Sequence, residues 1–292
     1  MSKSTNKFAN VATTSEVFGQ KVKHWPEPAP LSEHGNARII AVVNQKGGVG
    51  KTTTTINLGA SLAELGRKVL LVDFDPQGAL SVGLGVATHE LERSVYHLLL
   101  DRTASIDQVL LKTSVPGMDL LPSDITLSGA EVSLVNEVAR EQTLARVLEP
   151  AVGEYDFILI DCQPSLGLLT VNALTAADSV IVPLECEYFA LRGVKLLMEI
   201  IQKVQERLNP QLEVDGILAT MFDSRTLHSR EVLSRIAEAF PDRVFETVIS
   251  RTVRFPETTV AGEPITTYAS SSDGAAAYRR LARELLAKGA QK

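Results

Sequence analysis

The chain of 292 residues holds two cysteines, Cys162 and Cys186, 24 positions apart. Neither forms a CxxC pair or stands beside a histidine cluster, which argues against a zinc or iron–sulfur centre built by one chain. Their apolar neighbours Ile160 and Leu184 make buried free thiols the expectation. No apolar run reaches the ~18 residues a membrane span needs, and the N-terminus has no apolar segment of the secretory type. A reducing cytoplasm is the expected setting. An excess of positive charge is missing too, since 29 Lys and Arg face 35 Asp and Glu for a formal net charge of −6. That balance argues against a surface given over wholly to nucleic acid or to an anionic membrane, though not against a local basic face.

What is present is ordinary in amount and informative in order. Hydrophobic residues make up 45% and charged residues 22%, enough for a substantial core. The length suits two average domains, or one large α/β domain with a tail. Residues 1–37 are rich in Ser, Thr, Asn and Lys and include Trp25-Pro26-Glu27-Pro28-Ala29-Pro30, around the only tryptophan. Alternating prolines favour extended backbone and no helical or strand period survives there, so 1–37 reads as a disordered tail. Trp25 is either a docking residue or an idle one. One domain is expected over 38–292. Short apolar runs at 38–43, 68–72, 118–121, 157–160, 179–182, 217–220 and 244–249 have the pattern of strands buried on both faces. Helices are expected between them at 51–65, 128–148, 165–176, 190–208, 226–239 and 274–288. This order predicts an α/β fold, a doubly wound and mainly parallel sheet flanked by helices.

The first strand runs into Asn44-Gln45-Lys46-Gly47-Gly48-Val49-Gly50-Lys51-Thr52-Thr53, followed by a helix. Strand, glycine loop and helix place backbone N–H groups and a helix N-terminus around one anion. The glycines permit the close approach and unusual backbone angles such a wrap requires. Lys51 brings a positive charge to the β- and γ-phosphates of a nucleotide, and the Thr52 hydroxyl stands where Mg²⁺ is ligated. Gln45 replaces the first glycine of the usual GxxxxGK[ST] pattern, and Lys46 is an additional lysine. Nucleotide contacts are therefore expected from Lys46, Gly47, Gly48, Val49, Gly50, Lys51, Thr52 and Thr53.

Asp73 and Asp75 follow the second strand in Val72-Asp73-Phe74-Asp75-Pro76-Gln77. Period two puts both on one side of an extended segment at the sheet's carboxyl edge, where ligands bind in such folds. Asp161 follows the apolar run Phe157-Ile158-Leu159-Ile160, the form in which an acid holds Mg²⁺ directly or through water. An anion cradle, a metal corner, carboxylates at the sheet edge and the Lys51 charge are parts suited to phosphoryl transfer. No motif for an alcohol acceptor points to a kinase.

The stretch KGGVGKTTTTINLGASLAELGRKVLLVDFDPQGALS, residues 46–81, resembles the deviant Walker A ATPases of the ParA/MinD group, and most of all the ParA (Soj-type) partition ATPases. Residues 161–170 resemble that family's DxPPSLGxLT, 220–227 its TMxDxRT and 244–255 its VFxTVIPRNVRL, so the likeness covers 38–288. The resemblance implies catalytic roles for Lys46, Lys51 and Asp75. Lys46 would reach the nucleotide of the other subunit in a face-to-face homodimer formed with ATP, in the manner of an arginine finger. Asp75 would position the attacking water, and Asp73 would lie near the Mg²⁺ held by Thr52 and Asp161. The resemblance further implies adenine contacts at Thr220, Met221 and 249–251, and non-specific binding of duplex DNA through Arg225 and Arg254. ATP and Mg²⁺, a ParB-like activator and a cytoplasmic, nucleoid-associated location complete that expectation. The chain departs from the family at Gly78-Ala79, Gln163, Ser250, Thr252 and over 255–262, leaving open a main partition ATPase or a ParA-like paralogue.

The alternative is a MinD-like membrane ATPase that positions division. Such chains end in an amphipathic helix that inserts into lipid, whereas the leucines of 279–289 are expected to pack on the domain. Membrane binding is accordingly not expected. An iron–sulfur carrier of the same group would need paired cysteines. The charge is also uneven, with 11 Lys and Arg against 8 Asp and Glu in residues 225–292. The acidity lies within residues 1–224, in the nucleotide half, and the mildly basic remainder suits weak, salt-sensitive DNA binding by two subunits side by side.

Overall fold

The computed structural model describes residues 11–187 and 190–289. Seven strands form one sheet in the order β3–β4–β2–β5–β1–β6–β7. In chain order they are β1 (Arg38–Val42), β2 (Val69–Phe74), β3 (Leu111–Lys112), β4 (Met118–Leu121), β5 (Phe157–Cys162), β6 (Ser179–Glu185) and β7 (Glu213–Thr220). Every pairing is parallel except β3 with β4, at the edge. The expected doubly wound α/β fold is the one observed.

Alternation along the strands explains why both faces are buried. Ile39, Ala41, Leu70, Val72, Ile158 and Ile160 enter one apolar cluster. Ile40, Val69, Leu71, Phe157 and Leu159 enter the other, with Ile56, Leu58 and Leu62 of the helix Lys51–Glu64. Asp73 of β2 and Asp161 of β5 are register partners. Period two puts both acids on the side covered by that helix.

Several elements differ from the sequence expectation, each for a local reason. Residues 244–249 are extended but form no regular strand. Phe245 N donates to Ile217 O at 2.9 Å and Ile249 N to Ala219 O at 2.9 Å. Between them the Glu284 carboxylate takes the N–H groups of Glu246 (2.7 Å) and Thr247 (2.9 Å), so a side chain interrupts the ladder. The helix expected at 128–148 is broken into short turns, among them Ala130–Ser133 and Thr143–Leu148, with Ala139 in left-handed backbone between them (φ 54). Val132, Val135 and Val138 are exposed there, while Ala130, Leu134, Leu144 and Leu148 are buried. Helices at Ala79–Gly83, Val95–Leu100 and Arg254–Ala261 and the short strand β3 were not expected.

Residues 1–10 of the expected tail lie outside the described residues. Residues 11–18 pack on the domain, and 19–36, mostly exposed, are tied to it at points. Thr13 caps the one-turn helix Thr14–Val17 in a reciprocal capping box with Glu16. Val248 N donates to Ala12 O (3.1 Å) and Thr14 N to Glu246 O (2.9 Å). Further along, Arg280 reaches Lys23 O at 2.9 Å and Arg67 reaches Ala29 O at 3.1 Å. These anchors are mostly main-chain acceptors, which need no apolar period and leave no pattern in the sequence.

Candidate active site

The loop between β1 and the helix Lys51–Glu64 is built as the glycines require. Gly50 caps the helix in left-handed backbone (φ 86, ψ 27), and no side chain satisfies the first-turn N–H groups. Those donors, with the positive end of the helix dipole, are the cradle an anion needs. A Cβ at Gly47 or Gly48 would meet nothing within 4 Å, so the outer side of the loop is open. Lys51 is buried, and its ammonium donates to Lys46 O at 3.3 Å. Burial lowers its pKa, opposed by the nearby charge of Asp161.

Thr52 Oγ1 donates to Asp161 Oδ2 at 2.6 Å, and Thr55 Oγ1 approaches Asp161 Oδ1 at 3.5 Å. Asp161 is fully buried, and its carboxyl is pushed well above the usual range by burial first and by Asp73 second. Asp73, also fully buried, is pushed up to about 6, mainly by burial. Its Oδ2 accepts from Ser81 N (2.8 Å) and Ser81 Oγ (2.6 Å), and its Oδ1 from Asp75 N at 3.3 Å. Asp73 is thus committed to tying the helix Ala79–Gly83 to β2, while Asp161 is the acid at the loop hydroxyl. Asp75 lies past the end of β2 and accepts from Gln77 N at 2.9 Å.

The donor set of the Thr52–Asp161 corner is a hydroxyl and a carboxylate, hard oxygen ligands of the kind Mg²⁺ takes. A carboxyl whose ionisation burial opposes is a site whose charge a cation would stabilise. Among the described residues no group of three or more His, Cys, Asp or Glu forms a metal cage. Mg²⁺ that accompanies phosphates keeps waters and takes few protein ligands.

The remaining expected residues fall in three places. Thr220, at the end of β7, donates from Oγ1 to Val49 O at 2.8 Å and so pins the loop. Met221 follows in left-handed backbone (φ 49), and Phe222 N donates to Ile249 O at 3.1 Å. This brings 220–222 beside 249–251, as the adenine expectation requires. Lys46 is held on its own chain, its Nζ 3.1 Å from Glu185 Oε2 and also bonded to Glu187 Oε2. Burial opposes its charge and the two carboxylates outweigh it, so its pKa is raised.

Arg225 and Arg254 are both exposed. Arg225 forms two bonds with Asp223 (2.9 and 2.8 Å), and Arg254 pairs with Glu257 at 2.9 Å. Sequence reasoning missed Glu185 and Glu187, which hold Lys46, and Ser81, which holds Asp73, while Arg251, within the expected 249–251 stretch, pairs with Glu185. A cleft of about 920 Å³ lined by residues including Leu98, Asp101, Leu134 and Tyr155 contains none of the expected site residues. The site stands at the carboxyl rim of the sheet, past the ends of β1 and β2 and at the end of β5.

The AAA_31 family model, described as an AAA domain, matches residues 37–214. An uncharacterized protein of Mycobacterium tuberculosis is 62% identical over 270 residues, covering 92% of this chain and 85% of that protein. The sporulation initiation inhibitor protein Soj of Bacillus subtilis is 48% identical over 252 residues, 86% of this chain and 99% of Soj. A crystal structure of cobyrinic acid a,c-diamide synthase from Mycobacterium smegmatis with bound ADP and magnesium is 44% identical. It has a TM-score of 0.78 and covers 87% of this chain and 96% of that one. With a family match over more than half its length and relatives of this identity over nearly all of their own, the chain belongs to the ParA/Soj family of P-loop chromosome-partitioning ATPases.

Proposed function

We propose that the chain hydrolyses ATP to ADP and phosphate in a Mg²⁺-dependent reaction and uses the cycle to position chromosome or plasmid DNA. The ATP form is a homodimer that binds duplex DNA without sequence preference through Arg225 and Arg254, and a ParB-like partner stimulates hydrolysis. The protein works in the cytoplasm, on the nucleoid. The observation that carries this reading is the 2.6 Å contact of Thr52 with Asp161 at the mouth of a helix whose first N–H groups have no side-chain cap.

In this reading the N–H groups of residues 47–53 bind the phosphates, and Lys51 neutralises the β- and γ-oxygens. Thr52 and Asp161 would hold Mg²⁺, with Asp73 as the neighbouring carboxyl. When bound there, Mg²⁺ would supply further neutralisation of the charge on those oxygens. Asp75 accepts a hydrogen bond from the attacking water and aligns it. The water oxygen bonds to the γ-phosphorus as the bond from that phosphorus to the bridging oxygen breaks, leaving ADP and phosphate. Lys46 acts on the nucleotide of the other subunit.

The helix Asp273–Gly289 supports DNA over a membrane as the surface served. Its Leu281 and Leu285 are fully buried in the domain and have no face to offer lipid. Among the described residues no helix is long and apolar enough to cross a membrane. Co-sedimentation with duplex DNA and with anionic vesicles, each with ATP or ADP, tests the proposal. DNA retention with ATP alone, lost in Arg254→Glu, is expected. Vesicle binding without DNA binding would replace this reading with the MinD-like one.

A further inference from the structure

Lys46 is the residue proposed to work on another subunit, yet it is bound at home. Its ammonium lies between Glu185, the last residue of β6, and Glu187, two residues on. Glu185 is shared: Oε2 takes Lys46 at 3.1 Å, and Oε1 takes Arg251 at 2.9 Å. Arg251 in turn donates its backbone N–H to Phe222 O at 3.0 Å. Two cations and two carboxylates thus form a neutral row from the phosphate loop to the segment that leads into Arg254. The Lys46 and Glu187 side chains are about half exposed, at 47% and 55%. Such a pair is weak enough to be broken by an event of modest energy.

We propose that Glu185 and Glu187 are positioning residues that park Lys46 on its own subunit, and that ATP-dependent self-association proceeds by drawing Lys46 off them. The inference rests on the reading that Lys46 acts across the dimer. Parking keeps the lysine from its own nucleotide and sets a threshold against pairing before ATP is present. Departure of Lys46 also leaves Glu185 with Arg251 alone. The loop event is thereby felt at 249–251, three residues from one of the proposed DNA contacts.

The test is ATP-dependent self-association by analytical ultracentrifugation for the full chain, Glu187→Gln, Glu187→Asp, Lys46→Ala and the double variant Lys46→Ala/Glu187→Gln. Glu187→Gln is expected to dimerise about threefold more tightly, the scale of one partly exposed ion pair. Glu187→Asp, which keeps the charge, is expected to stay near the parent. Melting temperature and ADP affinity should be unmoved in both, which a merely structural role would not allow. The gain must run through the lysine, so the double variant should match Lys46→Ala. If Lys46→Ala dimerises like the parent, the reading of Lys46 in trans fails. If Lys46→Ala loses dimerisation and Glu187→Gln shows no gain, that reading stands and the parking inference is overturned.

Discussion

Two pairs of buried acids sit on opposite duties in this molecule. Glu246 and Glu284 lie under the C-terminal helix. Glu284 accepts from two backbone N–H groups and the Thr247 hydroxyl, and the Lys288 ammonium is 3.4 Å away. Glu246 accepts from the Thr14 hydroxyl at 3.0 Å and faces the buried Arg280 at 3.7 Å. Every acid there has a cation. Asp73 and Asp161 are as deeply buried, both carboxyls are pushed up by burial, and the nearby charge of Lys51 offsets that only partly at Asp161. The first pair holds the fold together; the second is short of positive charge, which is the state of a site made to receive some.

The largest expected effect falls on the fully paired cluster. Glu284→Ala removes the acceptor for the N–H groups of 246 and 247 and the charge opposite Lys288, and is expected to cost about 3–5 kcal/mol in denaturant unfolding. A cost below about 1 kcal/mol would erase the contrast. Asp161→Asn is expected to do the opposite, reducing Mg²⁺-dependent hydrolysis by about 100-fold or more while leaving the nucleotide-free fold as stable or more so. A stability loss on the scale of Glu284→Ala would make Asp161 a structural acid.

pH sharpens the same contrast. Asp73 and Asp161 keep a proton in the folded chain that the unfolded chain gives up near pH 4, so the unfolded state binds fewer protons above that pH. Stability of the nucleotide-free protein is therefore highest below that point and falls as pH rises through about 6 for Asp73, and further for Asp161. The expected loss through Asp73 is on the order of 1–3 kcal/mol, read as a falling melting temperature. Asp161→Asn should flatten the upper part of that fall. The smallest effect concerns the segment tied to the paired cluster: Thr13→Ala breaks the capping box and is expected to cost about 1 kcal/mol. No change in melting temperature would mean that this segment adds nothing to the fold.

The rim was more legible in the sequence than the rest, for physical reasons. A phosphate loop is written in consecutive residues, because one turn of backbone makes the cradle, and Asp161 announces itself after four apolar residues. Fully apolar runs betrayed the parallel sheet. What escaped depends on residues far apart in the chain: Glu185 and Glu187 meet Lys46 only because β6 lies beside β1. The segment 244–249 looked like a strand because its apolar residues are buried, yet Glu284, 38 positions beyond Glu246, takes its donors. Residues 11–37 gave no period because much of their anchoring runs through the main chain, as at Ala12, Lys23 and Ala29.

The account turns on Asp75 as the residue that aligns water for hydrolysis of ATP held by the loop and Mg²⁺. Phosphate release and self-association, measured together with ATP and Mg²⁺ for the parent and Asp75→Ala, test it most directly. The prediction is an Asp75→Ala protein that dimerises with ATP and releases phosphate at least about 100-fold more slowly. An Asp75→Ala protein that hydrolyses ATP at the parent rate, or a parent that releases no phosphate even with DNA and its partner, would contradict it.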